Sequence, residues 1–191
     1  MDAGRRYGHI MASSKRARLL VVLWSLAALG SAPALAASSS SGDAIAAVKA
    51  RALLASRELW ATVDVCSPSD QPNTVGVRGS MPGDGKAGEK MFMSFRLQYL
   101  NAARTWVDLL GSASPSFVSV GGASTARQGG RSFQLVPVAG KPAVTLRGVV
   151  DFQWRRGGTV LLSTSRASTV GHRSLAGADP AGFSAATCLI G

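Results

Sequence analysis

Two cysteines and two histidines are all that the 191 residues provide, and one of those histidines, His9, lies ahead of the first long apolar run. With His172 the only histidine beyond that run and the acids scattered, no group of zinc-type or calcium-type ligands can be drawn from the sequence. No G-x-S-x-G elbow marks a nucleophile. The glycine-rich stretch MPGDGKAGEK, from Met81, contains lysines but lacks the spacing of a P-loop, and no apolar-periodic helix follows it, so it reads as a plain connecting loop. Acids are sparse as well, ten against twenty-one Lys and Arg. Asp64 and Asp151 lie inside predicted strands and could be neighbours, but cross-strand polar pairs on a solvent face are too common for these two to mark a glycoside-cleaving pair.

One long apolar run does occur, Leu19 to Leu29. It follows Arg16 and Arg18 and is followed by Gly30, Pro33 and the small-x-small sequence Ala34-Leu35-Ala36. This is the layout of a secretory signal peptide over residues 1–36, with cleavage expected after Ala36; the run is shorter than the roughly 20 residues a membrane span needs. Met11 offers a second start that makes a more ordinary leader, and Arg5-Arg6 lies too far from the apolar core for a twin-arginine signal. No later run is long enough to span, so the remainder is expected to be secreted. The formal net charge is +11; five bases and one acid belong to the leader, which leaves the rest near +7. In an oxidising compartment the simplest account of Cys66 and Cys188 is one intramolecular disulfide, the alternative being two buried free thiols.

Residues 37–58 open with the low-complexity ASSSSG linker and continue into a helix capped by Asp43, with Ile45, Val48, Ala52 and Ala55 on one face. From Leu59 the period becomes two. In LWATVDVC, Leu59, Ala61, Val63 and Val65 alternate with Trp60, Thr62, Asp64 and Cys66. TVGVRGS is a second strand. Met91, Met93, Phe95, Leu97 and Tyr99 share one side of a third, with Phe92 and Leu100 breaking its alternation. A turn at residues 101–104 leads to the partner strand TWVDLL. SFVSVG is a short strand, GGASTARQGG a loop, and RSFQLVPV a strand that Pro137 confines to an edge or ends.

The longest alternating stretch is VTLRGVVDFQWR, from Val144 to Arg155. Its even positions, including Leu146, Val150, Phe152 and Trp154, are apolar, and most of its odd positions are polar. Arg156-Gly157-Gly158 turns it into TVLLSTS, and FSAATCLI closes the chain after a loop-like stretch. Eight or nine regularly spaced strands with no helices between them predict an all-β antiparallel sandwich over residues 59–191.

The hairpin FRLQYLNAARTWVDL, the strand pair RGVVDFQWRRGGTVLLS and the paired cysteines together resemble an immunoglobulin-like or fibronectin-III-like sandwich. The cysteines depart from the antibody pattern, in which the bridge joins inner strands around a tryptophan; here it would join the first strand to the last. The closing run HRSLAGADPAGFSAATC is similar to the tails of uncharacterised secreted bacterial proteins. That resemblance implies export and a sandwich but no activity.

No catalytic, cofactor-binding or metal set emerges, and a non-enzymatic binding module is the expectation. Its expected contact surface is basic, made of Arg147, Arg155, Arg156 and Arg173, and suited to an anionic cell-wall polymer or glycan. Nucleic acid is not expected, because Phe152 and Trp154 point away from Arg147 and Arg155, and stacking platforms need both on one surface. The rival is an exported hydrolase built around His172, with Asp179 orienting the imidazole as a base. A subunit pairing through an exposed sheet edge is a third expectation.

Overall fold

A computed structural model describes residues 41–112, 116–172 and 176–191; the expected leader, its expected cleavage position and Arg173 lie outside them. In chain order a helix, α1 (Ser41–Leu54), precedes nine strands: β1 (Trp60–Cys66), β2 (Thr74–Met81), β3 (Lys86–Leu100), β4 (Trp106–Asp108), β5 (Val118–Ala123), β6 (Arg127–Gln134), β7 (Val144–Arg156), β8 (Thr159–Ala167) and β9 (Cys188–Ile190). The fold is all-β and sandwich-like, as the alternation predicts. One sheet has the order β1-β2-β6; in the other, β3 and β7 are central. They pair antiparallel from Lys90 opposite Arg155 to Tyr99 opposite Leu146, with β4 and β5 on the far edge of β3 and β8 and β9 on the far edge of β7.

The core forms where the two apolar faces meet. Val75 and Val77 of β2 are buried with Met91, Met93 and Leu97 of β3 and with Val150, Phe152 and Trp154 of β7. The Trp154 indole N–H, which would otherwise be stranded there, donates to the Pro82 carbonyl at 3.0 Å. The sheets approach closely where glycines face larger side chains. A β-carbon at Gly148 would lie 2.5 Å from Val77 Cγ1, and one at Gly79 would lie 3.0 Å from Val150 Cγ1.

Several expectations are corrected. The segment expected to be the loop GGASTARQGG supplies the end of β5 and the first half of β6, because its glycines fit a strand lying close to the other sheet: a β-carbon at Gly129 would lie 2.9 Å from Val120 Cγ1 and 3.3 Å from Met93 Sδ. The strand expected over residues 131–138 ends at Gln134. The helix already includes Ser41 and Gly42, which belong to the expected linker. The face that carries Ile45 and Val48 is exposed, as the weak apolar character of an alanine-rich face allows; Leu53 and Leu54 make the contacts with the core.

β1 is buried on both sides rather than one, with Thr62 and Asp64 as inaccessible as Val63. The cause is the stretch that reads as a terminal loop. Ser168, Asp179 and Ala185 form isolated bridges to Ala61, Val65 and Val63, covering the strand edge that β2 leaves open. Thr62 Oγ1 donates to the Thr169 carbonyl at 2.8 Å and lies 2.8 Å from Ser184 Oγ. The expected strand FSAATCLI therefore shortens to β9. The disulfide forms as expected between Cys66 of β1 and Cys188 of β9, with a Cα separation of 5.5 Å, and ties one sheet to the other.

Candidate binding surfaces

The outer face of the six-stranded sheet carries two arginine and aromatic stations. Odd residues of β7 point outward, which places Arg147 near one end and Arg155 near the other. The eight residue steps from one to the other span roughly 26 Å at strand rise. The Arg147 guanidinium stacks on Trp106 of β4 at 4.4 Å, and its Nε donates to Gln98 Oε1 at 2.8 Å. Arg155 lies over Phe92 of β3 at 4.3 Å and over Phe117, just before β5, at 5.0 Å; its Nε donates to Gln153 Oε1 at 2.7 Å. Each guanidinium is held flat by a ring and an amide, and neither has a carboxylate within ion-pair distance among the described residues. Lys90 stands directly opposite Arg155 in the register, so two cations adjoin at that end.

The centre of the face is neutralised. Arg96 bonds Asp151 and also Asp108 at 3.3 Å, and Ser165 donates to the other Asp151 oxygen. Burial lowers the Arg147 pKa, the nearby Arg96 charge adds to that, and Asp108 opposes both. A cation that is partly stripped of water and lacks a carboxylate partner is relieved by an incoming anion.

Aromatics therefore do stand among these arginines, which removes the premise on which stacking was discounted. They come from β3, β4 and the approach to β5, because neighbours on a sheet face are cross-strand partners far more than residues of one strand. A trace was present in the sequence: Phe92 is one of the two residues that break the β3 alternation, and it does so by lying on the outer face.

Arg156 does not belong to this surface. One residue beyond Arg155, it points to the other side and donates to Glu89 Oε1 at 2.7 Å. Glu89 is a buried acid that the glycine-rich stretch conceals, and Lys86 Nζ lies 3.1 Å from it. Burial alone would raise its pKa, but hydrogen bonds with Asp84, Lys86 and Arg156 outweigh that and hold it at about 2. Burial raises the pKa of Asp84, reinforced by its hydrogen bond with Glu89; Lys49 of α1 lies 3.8 Å away. The cluster joins the helix, the start of β3 and the end of β7.

At the other sheet, His172 stacks on Trp60 with ring centroids 4.3 Å apart and planes 12° from parallel. Its Nε2 is 2.8 Å from Thr169 Oγ1, and its backbone N–H donates to Ser184 Oγ at 3.1 Å. Asp179 does not orient the imidazole: its backbone N–H donates to the Asp64 carbonyl at 2.9 Å as part of the bridge to β1. Asp64 and Asp151 form no pair either, since Arg78 Nε holds Asp64 at 2.7 Å and Arg96 holds Asp151. Among the described residues no three His, Cys, Asp or Glu side chains gather as a metal site, and no helix is long and apolar enough to cross a membrane.

Comparison of the chain with known protein families and with curated proteins finds no match. Among solved structures it is similar to the Pseudomonas fluorescens alkylpurine DNA glycosylase AlkC bound to DNA containing an abasic site analog, at 12% identity and a TM-score of 0.29, over 58% of this chain and 29% of that one. A likeness that faint carries no argument about this protein.

Proposed function

We propose that this protein is exported and works outside the cell as a non-enzymatic binding module for an anionic cell-wall polymer or glycan, held along the outer face of the six-stranded sheet. The observation that carries the reading is the placement of Arg147 on Trp106 and of Arg155 between Phe92 and Phe117, on one face and without carboxylate partners. Two such stations at opposite ends of one sheet face suit an extended chain better than a compact ligand. Stacked guanidinium groups offer donors in a fixed plane to carboxylate, phosphate or sulfate groups. Export is supported by the leader layout and by a disulfide of the kind that persists in oxidising compartments.

The test is retention on immobilised polygalacturonate over a salt series. The protein is expected to bind at low salt and to elute as the Debye length shortens, and charge reversal of Arg147 and Arg155 together is expected to abolish retention with the fold intact by circular dichroism. Retention indifferent to salt, or unchanged in the doubly reversed variant, refutes the reading.

A further inference from the structure

A second surface has a different chemistry. Around Trp60 lies a cleft of about 510 Å³, within the range of small-molecule sites. Its floor is one register row of the three-stranded sheet, where Trp60 opposes Ser80 and Ser80 opposes Gln128. Their neighbours Ala61, Gly79 and Gly129 point into the core, so these three point away from it. Ser80 is small and only 4% exposed, which makes a trough between the indole and the Gln128 amide. The His172 ring forms a wall against Trp60, and Arg57 and Glu58, from the turn between α1 and β1, complete the rim.

The polar groups of this cleft are unused. Arg57, Glu58 and Gln128 have no side-chain partner among the described residues, and neither does the nearly buried Ser80 hydroxyl. Every fully buried side-chain nitrogen and oxygen among the described residues is hydrogen-bonded, so the Ser80 hydroxyl must open onto the cleft. The site thus offers a flat apolar ring, a planar donor fork, a carboxylate acceptor, and an amide and a hydroxyl that do both. A ligand that meets all of these at once has an apolar face and several hydroxyls around its edge, which describes a pyranose ring. Arg57 and Glu58 cancel in charge, and burial lowers the His172 pKa, disfavouring the charged ring. Nothing here selects an anion.

We propose that the cleft formed by Trp60, His172, Ser80, Gln128, Arg57 and Glu58 binds a neutral saccharide, with one pyranose unit packed on the aromatic pair and its hydroxyls bonded to the polar rim. The site is separate from the basic face and stands or falls independently of it.

The experiment titrates the purified protein with cellotetraose and with chitotetraose, read by calorimetry and by indole emission. At least one of them is expected to bind, with an affinity that does not change on raising salt to roughly 0.5 M, because no ion pair is involved. Gln128→Ala and Trp60→Ala are each expected to weaken binding about tenfold, a loss worth roughly 1.4 kcal/mol. Charge reversal of Arg147 and Arg155 is expected to leave it unchanged. Failure of both tetrasaccharides to bind at millimolar concentration, or undiminished binding by a folded Gln128→Ala protein, overturns the proposal without touching the basic-face reading.

Discussion

The fate of individual ionisable residues turns on partners several strands away. Glu89 is the clearest case: 2% of its side chain is exposed, and it keeps its charge because Lys86 and Arg156 face it and Asp84 shares a hydrogen bond with it. Its folded-state pKa, about 2, lies below its ordinary value of 4.5. The unfolded chain therefore binds the proton more readily, and the stability Glu89 contributes is complete above pH 4.5 and lost as pH falls through about 2. Asp84, with its raised pKa, works in the opposite sense over its own window. Glu89→Gln is expected to lower stability at pH 7 and to flatten the acid side of the profile, checked by urea unfolding between pH 7 and 2.5. An unchanged acid slope contradicts this assignment. The sequence contains no signal for it, since a glutamate amid Gly, Lys and Ala reads as solvated.

Individual strands were legible in proportion to how cleanly one face is buried. β7 forms as expected and β3 does so over residues 91–100, because each presents one face to the core; β3 begins earlier, at Lys86, inside the stretch that reads as a connecting loop, and β8 forms where TVLLSTS predicts a strand although none of its residues is fully buried. β5 and β6 were legible only in part, since glycine lowers strand propensity while here it admits the opposing sheet. The same close approach makes Gly148 a sharp test. Adding one methyl group drives a β-carbon to 2.5 Å from Val77 Cγ1 and 2.7 Å from its Cγ2, in a packed region with little room to yield. Gly148→Ala is expected to destabilise the protein by about 1 to 3 kcal/mol, seen as a lower urea midpoint. Gly158→Ala, where nothing lies within 4 Å of the added atom, is the control and should change little.

For the molecule as a whole, the Cys66–Cys188 bridge closes a loop of 122 residues and fastens the first strand to the last. In the chain-entropy model a closure of that length is worth about 4 to 5 kcal/mol. The Cys66→Ala/Cys188→Ala double variant is expected to melt roughly 10 °C lower or further, checked by differential scanning calorimetry beside the reduced wild type. A melting temperature within a few degrees of the oxidised protein would mean that the shared core and the bridges from Ser168, Asp179 and Ala185 to β1 hold the sheets together without the sulfur link. That stretch reads as a loop because its residues are Gly, Ser, Asp and Pro, yet it buries Thr62 and builds the wall that brings His172 to Trp60.

The sequence by itself determined the all-β class, the long paired strands, their inward residues and the sulfur bridge, because alternation and cysteine count are properties of neighbours along the chain. Only the tertiary structure decided which side chains share a surface. Arg155 meets Phe92 and Phe117, Arg156 turns away to Glu89, and Trp60, Ser80 and Gln128 line up in one row. The reason is geometric: adjacent strands lie about 4.8 Å apart while successive same-face residues within a strand are nearly 7 Å apart. A surface is therefore assembled chiefly across strands, and its register is set by pairings between distant parts of the chain.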